Sequence, residues 1–438
     1  SGIRRASASS GVRRRVMVGD CAAADNSAMT AHTSADHTPA FSPVLTVPPA
    51  LRRWDVFCRV IDNHGDLGVC WRLARDLAGR GAQVRLWVDD ASALAWMAPD
   101  GAPGVQVLPW RDPLADEAPA DVVIEAFGCD PPATYVTRMV AAAETGPAPL
   151  WINLEYLSAE PHVEGLHGLA SPQWSGPGRG LTKWFFFPGF TPATGGLLRE
   201  PGLLARRHAH HPATTLTRLG IHLGADDHPD HALMLLFGYT QPLLPAWLDL
   251  LADTPHDRGD RRVRTTLLVT PGFSAQQVRA WLHQRGATGP GPVVGALRLH
   301  FLPHVTQVEF DRLLWASDLN LVRGEDSLVR ALWAGRPLLW QLYPQEDGVH
   351  ADKLAAFLDV ALDHTPPALA APLRAMARLW NGGGDPADLP RVWSALWPAL
   401  QVPWRTDAAA RQQRWAGQPD LVSSLLTWAA RQRTDGLG

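Results

Sequence analysis

Glu325 and Asp326 stand between Gly324 and Ser327 in the stretch SDLNLVRGEDSLVRALWAG, residues 317–335. Read coarsely, Asp318–Arg323 is a short apolar strand, Gly324 a turn, and Ser327–Ala334 a helix stopped by Gly335 with Pro337 beyond. A helix start after such a turn offers unpaired backbone N–H groups and the positive end of the macrodipole, and Ser327 can add a hydroxyl donor, so a diphosphate would be held there. Two carboxylates beside a diphosphate repel it unless they are aimed at sugar or ribose hydroxyls, from which they accept readily. Acidic capping of an ordinary helix is the other reading of this stretch alone. A second pair, Asp62 and Asp66, brackets the loop DNHGDLG, residues 62–68, ahead of another helix. That place favours the ionised carboxylate that a general base needs, while Gly65 and Gly68 let the chain turn and a substrate approach. An acidic loop that merely caps a helix remains open too. The third group, YPQEDGVHADKL at 343–354, holds Tyr343, Gln345, Asp347, His350 and Lys353. His350 and Lys353 are one helical turn apart and could share a face toward a cleft, or simply begin a surface helix.

Other chemistries lack their patterns. There is no HExxH, GxSxG, Walker A or GxGxxG sequence, and the four cysteines, Cys21, Cys58, Cys70 and Cys129, show no CxxC spacing. The tract Arg206–His211 reads as solvated polar chain, so no metal site is expected. A net charge of −3 over 438 residues gives no field that would call for nucleic acid or an anionic membrane. Of 40 basic residues only Lys183 and Lys353 are lysine, which reads as compositional bias rather than an arginine-rich binding face. No apolar run reaches the roughly 20 residues of a membrane span, and the setting expected is cytoplasmic. The 19 tryptophans read as packing residues, none of them assigned to chemistry.

The elements that must position these groups alternate between apolar strands and amphipathic helices. Residues 1–50 read as a disordered extension. WDVFCRVI at 54–61, a helix over 69–81, then QVRLWVDD, VQVLPW, DVVIEAFG and PLWINLEYL make a first Rossmann-like domain over 54–200. A linker over 201–230 leads to a second α/β series over 231–400, and a helical segment follows over 401–438. Two such halves place a ligand between their strand ends, so DNHGD would face RGEDS. That arrangement suits a two-substrate transferase.

Taken in order, FCRVIDNHGDLGVCWRLARDLA, KWFFFPGFTPATGGLLRE, FDRLLWASDLNLVRGEDSLVRALWAGRPLLWQLYPQ and HADKL resemble the protein-arginine rhamnosyltransferases of bacterial elongation factor P, the EarP type. The resemblance implies an α/β glycosyltransferase B-type fold with two Rossmann-like domains facing across a cleft, 54–200 on the acceptor side and 231–400 on the nucleotide-sugar side. It further implies dTDP-β-L-rhamnose as co-substrate with no cofactor, and inverting transfer to an arginine of elongation factor P. Carried onto this chain, it makes Asp66 the base, Asp62 the residue orienting the acceptor, and Glu325 the third catalytic residue. Asn63, Gly65 and Gly68 then form the acceptor-side loop. Phe301 would stack on thymine, Gln307 or His304 would read the base, and Arg323, Gly324, Asp326, Ser327, Tyr343 and Gln345 would complete the donor site. FLPHVTQVEFD is longer between Phe301 and Phe310 than the family pattern, and the extension at 1–50 also departs from it. Two other readings stay in view: a related glycosyltransferase or epimerase using another nucleotide sugar, and a protein that binds nucleotide sugars without catalysis.

Overall fold

Apolar runs of four to six residues, each closing on a polar or glycine-bearing loop, form the central strands of two sheets. The computed structural model describes residues 44–61, 64–110, 117–221, 231–253, 263–287, 289, 291–343 and 348–435; Asp62, Asn63 and Gln345 lie outside them. The first sheet comprises β1 (Arg53–Cys58), β2 (Gln83–Val88), β3 (Val105–Pro109), β4 (Val122–Ala126), β5 (Leu150–Leu154), β6 (Ala170–Pro172) and β7 (Thr182–Phe186). Its order is β3-β2-β1-β4-β5-β7-β6, parallel except for β6 against β7. The second holds β8 (Ala232–Leu236), β9 (Thr265–Val269), β10 (Val293–Val294), β11 (Leu297–Phe301), β12 (Leu319–Arg323) and β13 (Leu338–Gln341). It runs β10-β11-β9-β8-β12-β13, with only β10 antiparallel. Central strands such as β8 are buried along their whole length, which is why they read as unbroken apolar runs rather than alternating ones.

Six helices matter to the site: α1 (Gly65–Gly79), α2 (Phe273–Gln284), α3 (Gln307–Ala316), α4 (Gly324–Ala334), α5 (Val349–Ala361) and α6 (Leu421–Asp435). Two of them begin earlier than expected. α1 starts at Gly65, so Gly65, Asp66 and Gly68 belong to its first turns rather than to a loop. The reason is packing: a Cβ on Gly68 would lie 3.1 Å from Asp326 Oδ2 and 3.4 Å from Gln307 Nε2, so this glycine lets α1 approach α3 and α4. α4 likewise starts at Gly324, whose φ of +64° suits glycine, and it stops at Gly335 as anticipated.

The stretch 201–221 carries two short helices, Leu203–His208 and Pro212–Arg218. His210 there packs against Trp315, and among the described residues no group of His, Cys, Asp or Glu is placed to hold a metal ion. Trp54, Trp247, Trp281, Trp333, Trp380 and Trp404 are core residues, as the sequence suggested. Among the described residues no helix is long and apolar enough to cross a membrane.

α6 packs its Leu421, Val422, Leu425 and Leu426 into the core of the first sheet, beside Leu73 and Leu77 of α1. Arg80 fastens the two helices, donating to Asp76 at 2.8 Å, to Asp420 at 2.7 Å and to Ser423 at 2.7 Å. Burial raises the Asp76 carboxyl to about 6, against the lowering pull of Arg80. A raised folded pKa means the native state binds the proton more tightly than the unfolded chain does. This contribution is therefore full below about pH 4 and lost as pH rises through about 6, an effect of about 3 kcal/mol. Thermal melts of wild type and Asp76→Asn at pH 4.5 and 7 are expected to show the wild type losing ground to the variant as pH rises.

Candidate active site

The ends of β9, β11 and β12 and the start of α1 open onto one cavity of about 360 Å³ between the two halves. The first half contributes His64, Gly65, Arg72, Trp96 and Met97 to its wall. From the second come the aromatic rings of Phe237, Tyr239, Phe273 and Phe310, together with His304, Gln307 and residues 323–327. Two helix N-termini meet here. α2 begins after Gly272, whose φ of +120° turns the chain into the helix, and α4 begins after Arg323 with no side-chain cap. The first-turn N–H groups of both helices lack intrahelical partners, so their dipoles add at the same wall.

The two carboxylates that sequence placed beside this wall are each matched by a cation. Glu325 receives Lys353 Nζ at 2.6 Å on Oε1, and its Oε2 accepts the Leu157 backbone N–H of the first half at 2.8 Å. Asp326 faces Arg72 of α1 at 3.0 Å. Burial pushes the Asp326 carboxyl above the usual carboxylate range, against the opposing pull of Arg72. The expected repulsion toward a diphosphate is thus answered by pairing. Ser327 differs from expectation: its hydroxyl donates back to the Arg323 carbonyl, one turn earlier, so the backbone rather than this side chain supplies donors. Arg323 is pinned over two rings, 4.7 Å from Phe237 and 4.4 Å from Tyr239, at the cavity wall.

Asp66 lies in the first turn of α1, 4% exposed, with Oδ2 accepting from Ile61 N–H at 2.9 Å. Behind it runs a buried network the sequence reading did not anticipate. Arg72 reaches both oxygens of Asp311 at 3.3 Å and Glu200 at 3.5 Å, and Arg75 reaches Glu200 at 2.8 Å. Arg330 of α4 binds Asp311 at 2.9 and 2.6 Å and Glu200 at 2.5 Å. Counting Asp326, three arginines from both halves face three carboxylates. Burial alone would raise Glu200, but Arg330, Arg72 and Arg75 overcome it and hold that carboxyl well below the usual range. The network fixes α1, α3 and α4 against one another and so sets the width of the cavity.

Gln307 opens α3 at 5% exposure; its Nε2 donates to the Gly68 carbonyl at 3.1 Å, which orients the amide, while its buried Oε1 has no hydrogen-bond partner. A buried acceptor without a donor is costly. His304 lies on the same wall, its ring 4.7 Å from Trp96. Phe301 is not among the residues lining this cavity; its ring lies under the Arg279 guanidinium at 4.2 Å. Tyr343 is also off the wall, 57% exposed and edge-on to Tyr239. The cavity's aromatic wall residues and Trp96 were missed because strand ends converge only in three dimensions, although Phe237 and Tyr239 directly follow an apolar run.

The family model described as elongation factor P rhamnosyltransferase EarP matches residues 54–430. The chain belongs to the EarP family. A protein-arginine rhamnosyltransferase of Pseudomonas putida is 45% identical over 385 residues, covering 85% of this chain and 97% of that relative. One from Pseudomonas aeruginosa is 44% identical, covering 86% and 98%. A solved structure described as the structural basis for EarP-mediated arginine glycosylation of translation elongation factor EF-P superposes with a TM-score of 0.58 at 32% identity. It covers 86% of this chain and 99% of that one. This member of the EarP family is accordingly a protein-arginine rhamnosyltransferase, with two Rossmann-like halves in the glycosyltransferase B-type arrangement expected from the sequence.

Proposed function

We propose that the enzyme transfers L-rhamnose from dTDP-β-L-rhamnose to an arginine of elongation factor P, with inversion at the anomeric carbon. The observation that supports the donor best is the buried Gln307 Oε1, orphaned on the wall of a cavity flanked by two helix N-termini. Thymine carries a proton on N3 and can donate it to that acceptor, whereas cytosine presents a lone pair at the same ring position. The diphosphate fits the N–H groups opening α4 and α2, with Arg323 beside them. In this reading the departing charge is carried by those groups and by Arg323, and the reaction needs no metal cofactor.

The acceptor nitrogen is a poor nucleophile because arginine stays protonated, with a pKa above about 12. A carboxylate that aligns the guanidinium and takes its proton as the N–C1 bond forms, while the C1–O bond to dTDP breaks, answers this difficulty. Asp66 has that role, with Asp62 orienting the acceptor and Glu325 holding the cleft between Lys353 and Leu157. One displacement without an enzyme nucleophile inverts the sugar carbon. An enzyme acting on a translation factor would work in the cytoplasm, with no nucleic acid or membrane as partner.

Titration calorimetry with dTDP and dCDP tests the donor assignment. The expected result is tight binding of dTDP and weak binding of dCDP, with Gln307→Leu binding dTDP roughly five- to tenfold more weakly. Equal affinity for both nucleotides would remove the thymine reading.

A further inference from the structure

A second feature lies on the first-half side of Glu325, outside the donor cavity. Among the described residues Phe127 is the one non-glycine with positive φ, +60°. A bulky aromatic residue in the left-handed region costs energy and persists where the surroundings hold it. Here they do: its N–H donates to the Leu154 carbonyl at 2.7 Å, and the next N–H, that of Gly128, donates to Asn153 Oδ1 at 3.1 Å. The result is a ring lying flat on Tyr156, with centroids 4.5 Å apart and planes 15° apart.

Tyr156 is 38% exposed, and its neighbour Leu157 gives the backbone N–H that holds Glu325. Phe127 and Glu155 share a narrow cavity with Val69 of α1, one residue beyond the first turn that carries Asp66, and with Glu325. Phe127 therefore shares a cavity with Glu325, and Tyr156 directly precedes the residue whose backbone holds that carboxylate. A cation already occupies this neighbourhood: Lys353 Nζ lies 5.8 Å from the Tyr156 ring while it pairs with Glu325. That residue is one of only two lysines among 40 basic residues. An ammonium holds Glu325 as a point charge, whereas an arginine there would present the same planar fork as the acceptor.

We propose that the Tyr156 ring, backed by Phe127, is the platform that positions the acceptor guanidinium beside Asp66 and Glu325. A planar guanidinium stacks on an aromatic face and is attracted by its quadrupole, and a flat ring limits the rotation of the acceptor arginine. Glu155 adds a carboxylate at the edge of the platform, its oxygen fixed by Asn153 Nδ2 at 2.7 Å. Tyr156 is a positioning residue, acting on the acceptor and not on the donor. The inference rests on arginine of elongation factor P being the acceptor.

Initial-rate kinetics with the full chain, dTDP-L-rhamnose and elongation factor P test it on Tyr156→Leu and Tyr156→Phe. Tyr156→Leu is expected to raise the acceptor KM about tenfold while the donor KM stays as in wild type. Tyr156→Phe, which keeps the ring, is expected to bring the acceptor KM back to within about twofold of wild type. An unchanged acceptor KM in Tyr156→Leu, an equal rise in both KM values, or failure of Tyr156→Phe to recover would each overturn the platform. Absence of rhamnosyl transfer by the wild type in the same assay would instead strike the acceptor assignment on which the platform depends, and would overturn both.

Discussion

Asp66→Asn lowers the turnover of arginine rhamnosylation roughly 10²- to 10⁴-fold, the range in which a positioned general base contributes. Asparagine keeps the shape and can still accept from Ile61 N–H, so the start of α1 is retained and the change isolates the loss of a proton acceptor. Donor affinity is expected to stay near that of the wild type, because the donor cavity is walled chiefly by the second half and Asp66 is not on its wall. Single-turnover rates with dTDP-L-rhamnose and calorimetry with dTDP check the two halves of this expectation. A variant that turns over at more than about a tenth of the wild-type rate would place the base elsewhere, with Asp62 next to be replaced.

Arg330→Met is expected to cost about 3–5 kcal/mol of stability, since it strips Glu200 and Asp311 of the nearer of their two shared partners inside the protein. Removing one member of a buried pair leaves uncompensated charge, which is worse than never having had the pair. Arg72 remains near both carboxylates but at longer range, 3.3 to 3.5 Å, and it also has Asp326 to serve. The loss should be visible as a lowered melting temperature and as a raised donor KM, because α4 carries both Arg330 and the N-terminus proposed to hold the diphosphate. Lower pH should narrow the gap between variant and wild type: Glu200 has its carboxyl held low in the fold, so the stability it lends is present above the unfolded carboxylate pKa and lost as pH falls. A melting curve unchanged by Arg330→Met would mean that the network does not bind the halves together.

Much of this architecture was legible because parallel strands buried on both faces have a plain signature. β12 reads as LNLVR, within the Asp318–Arg323 strand expected, and β8 and β9 read as ALMLL and TTLLV, within the second α/β series. β6 and β10 were not legible: one is three residues ending in Pro172 at a sheet edge, the other two valines, and neither has room for a pattern. Gly324 and Gly335 were readable as turn and stop because local backbone geometry demands them. Gly68 was not, since what demands it is Asp326, more than 250 residues away in the chain. Arg72 and Arg330 were lost in an arginine-rich composition. Arg72 is flanked by buried Trp71 and Leu73, and Arg330 by Val329 and Ala331, so arginine within an apolar helix segment was the usable signal. The carboxylates Asp66 and Glu325 stood out because acidic residues at helix starts following strands carry meaning locally. The partners that make them useful, Ile61, Leu157 and Lys353, required the fold.

Intact-mass spectrometry of elongation factor P after incubation with the wild-type enzyme and dTDP-L-rhamnose tests the central claim most directly. The account predicts a gain of one deoxyhexose, about 146 Da, as expected for a single new bond to one guanidinium nitrogen, and fragment masses that place it on an arginine. An unchanged mass, with dTDP binding demonstrated in the same preparation, would contradict it.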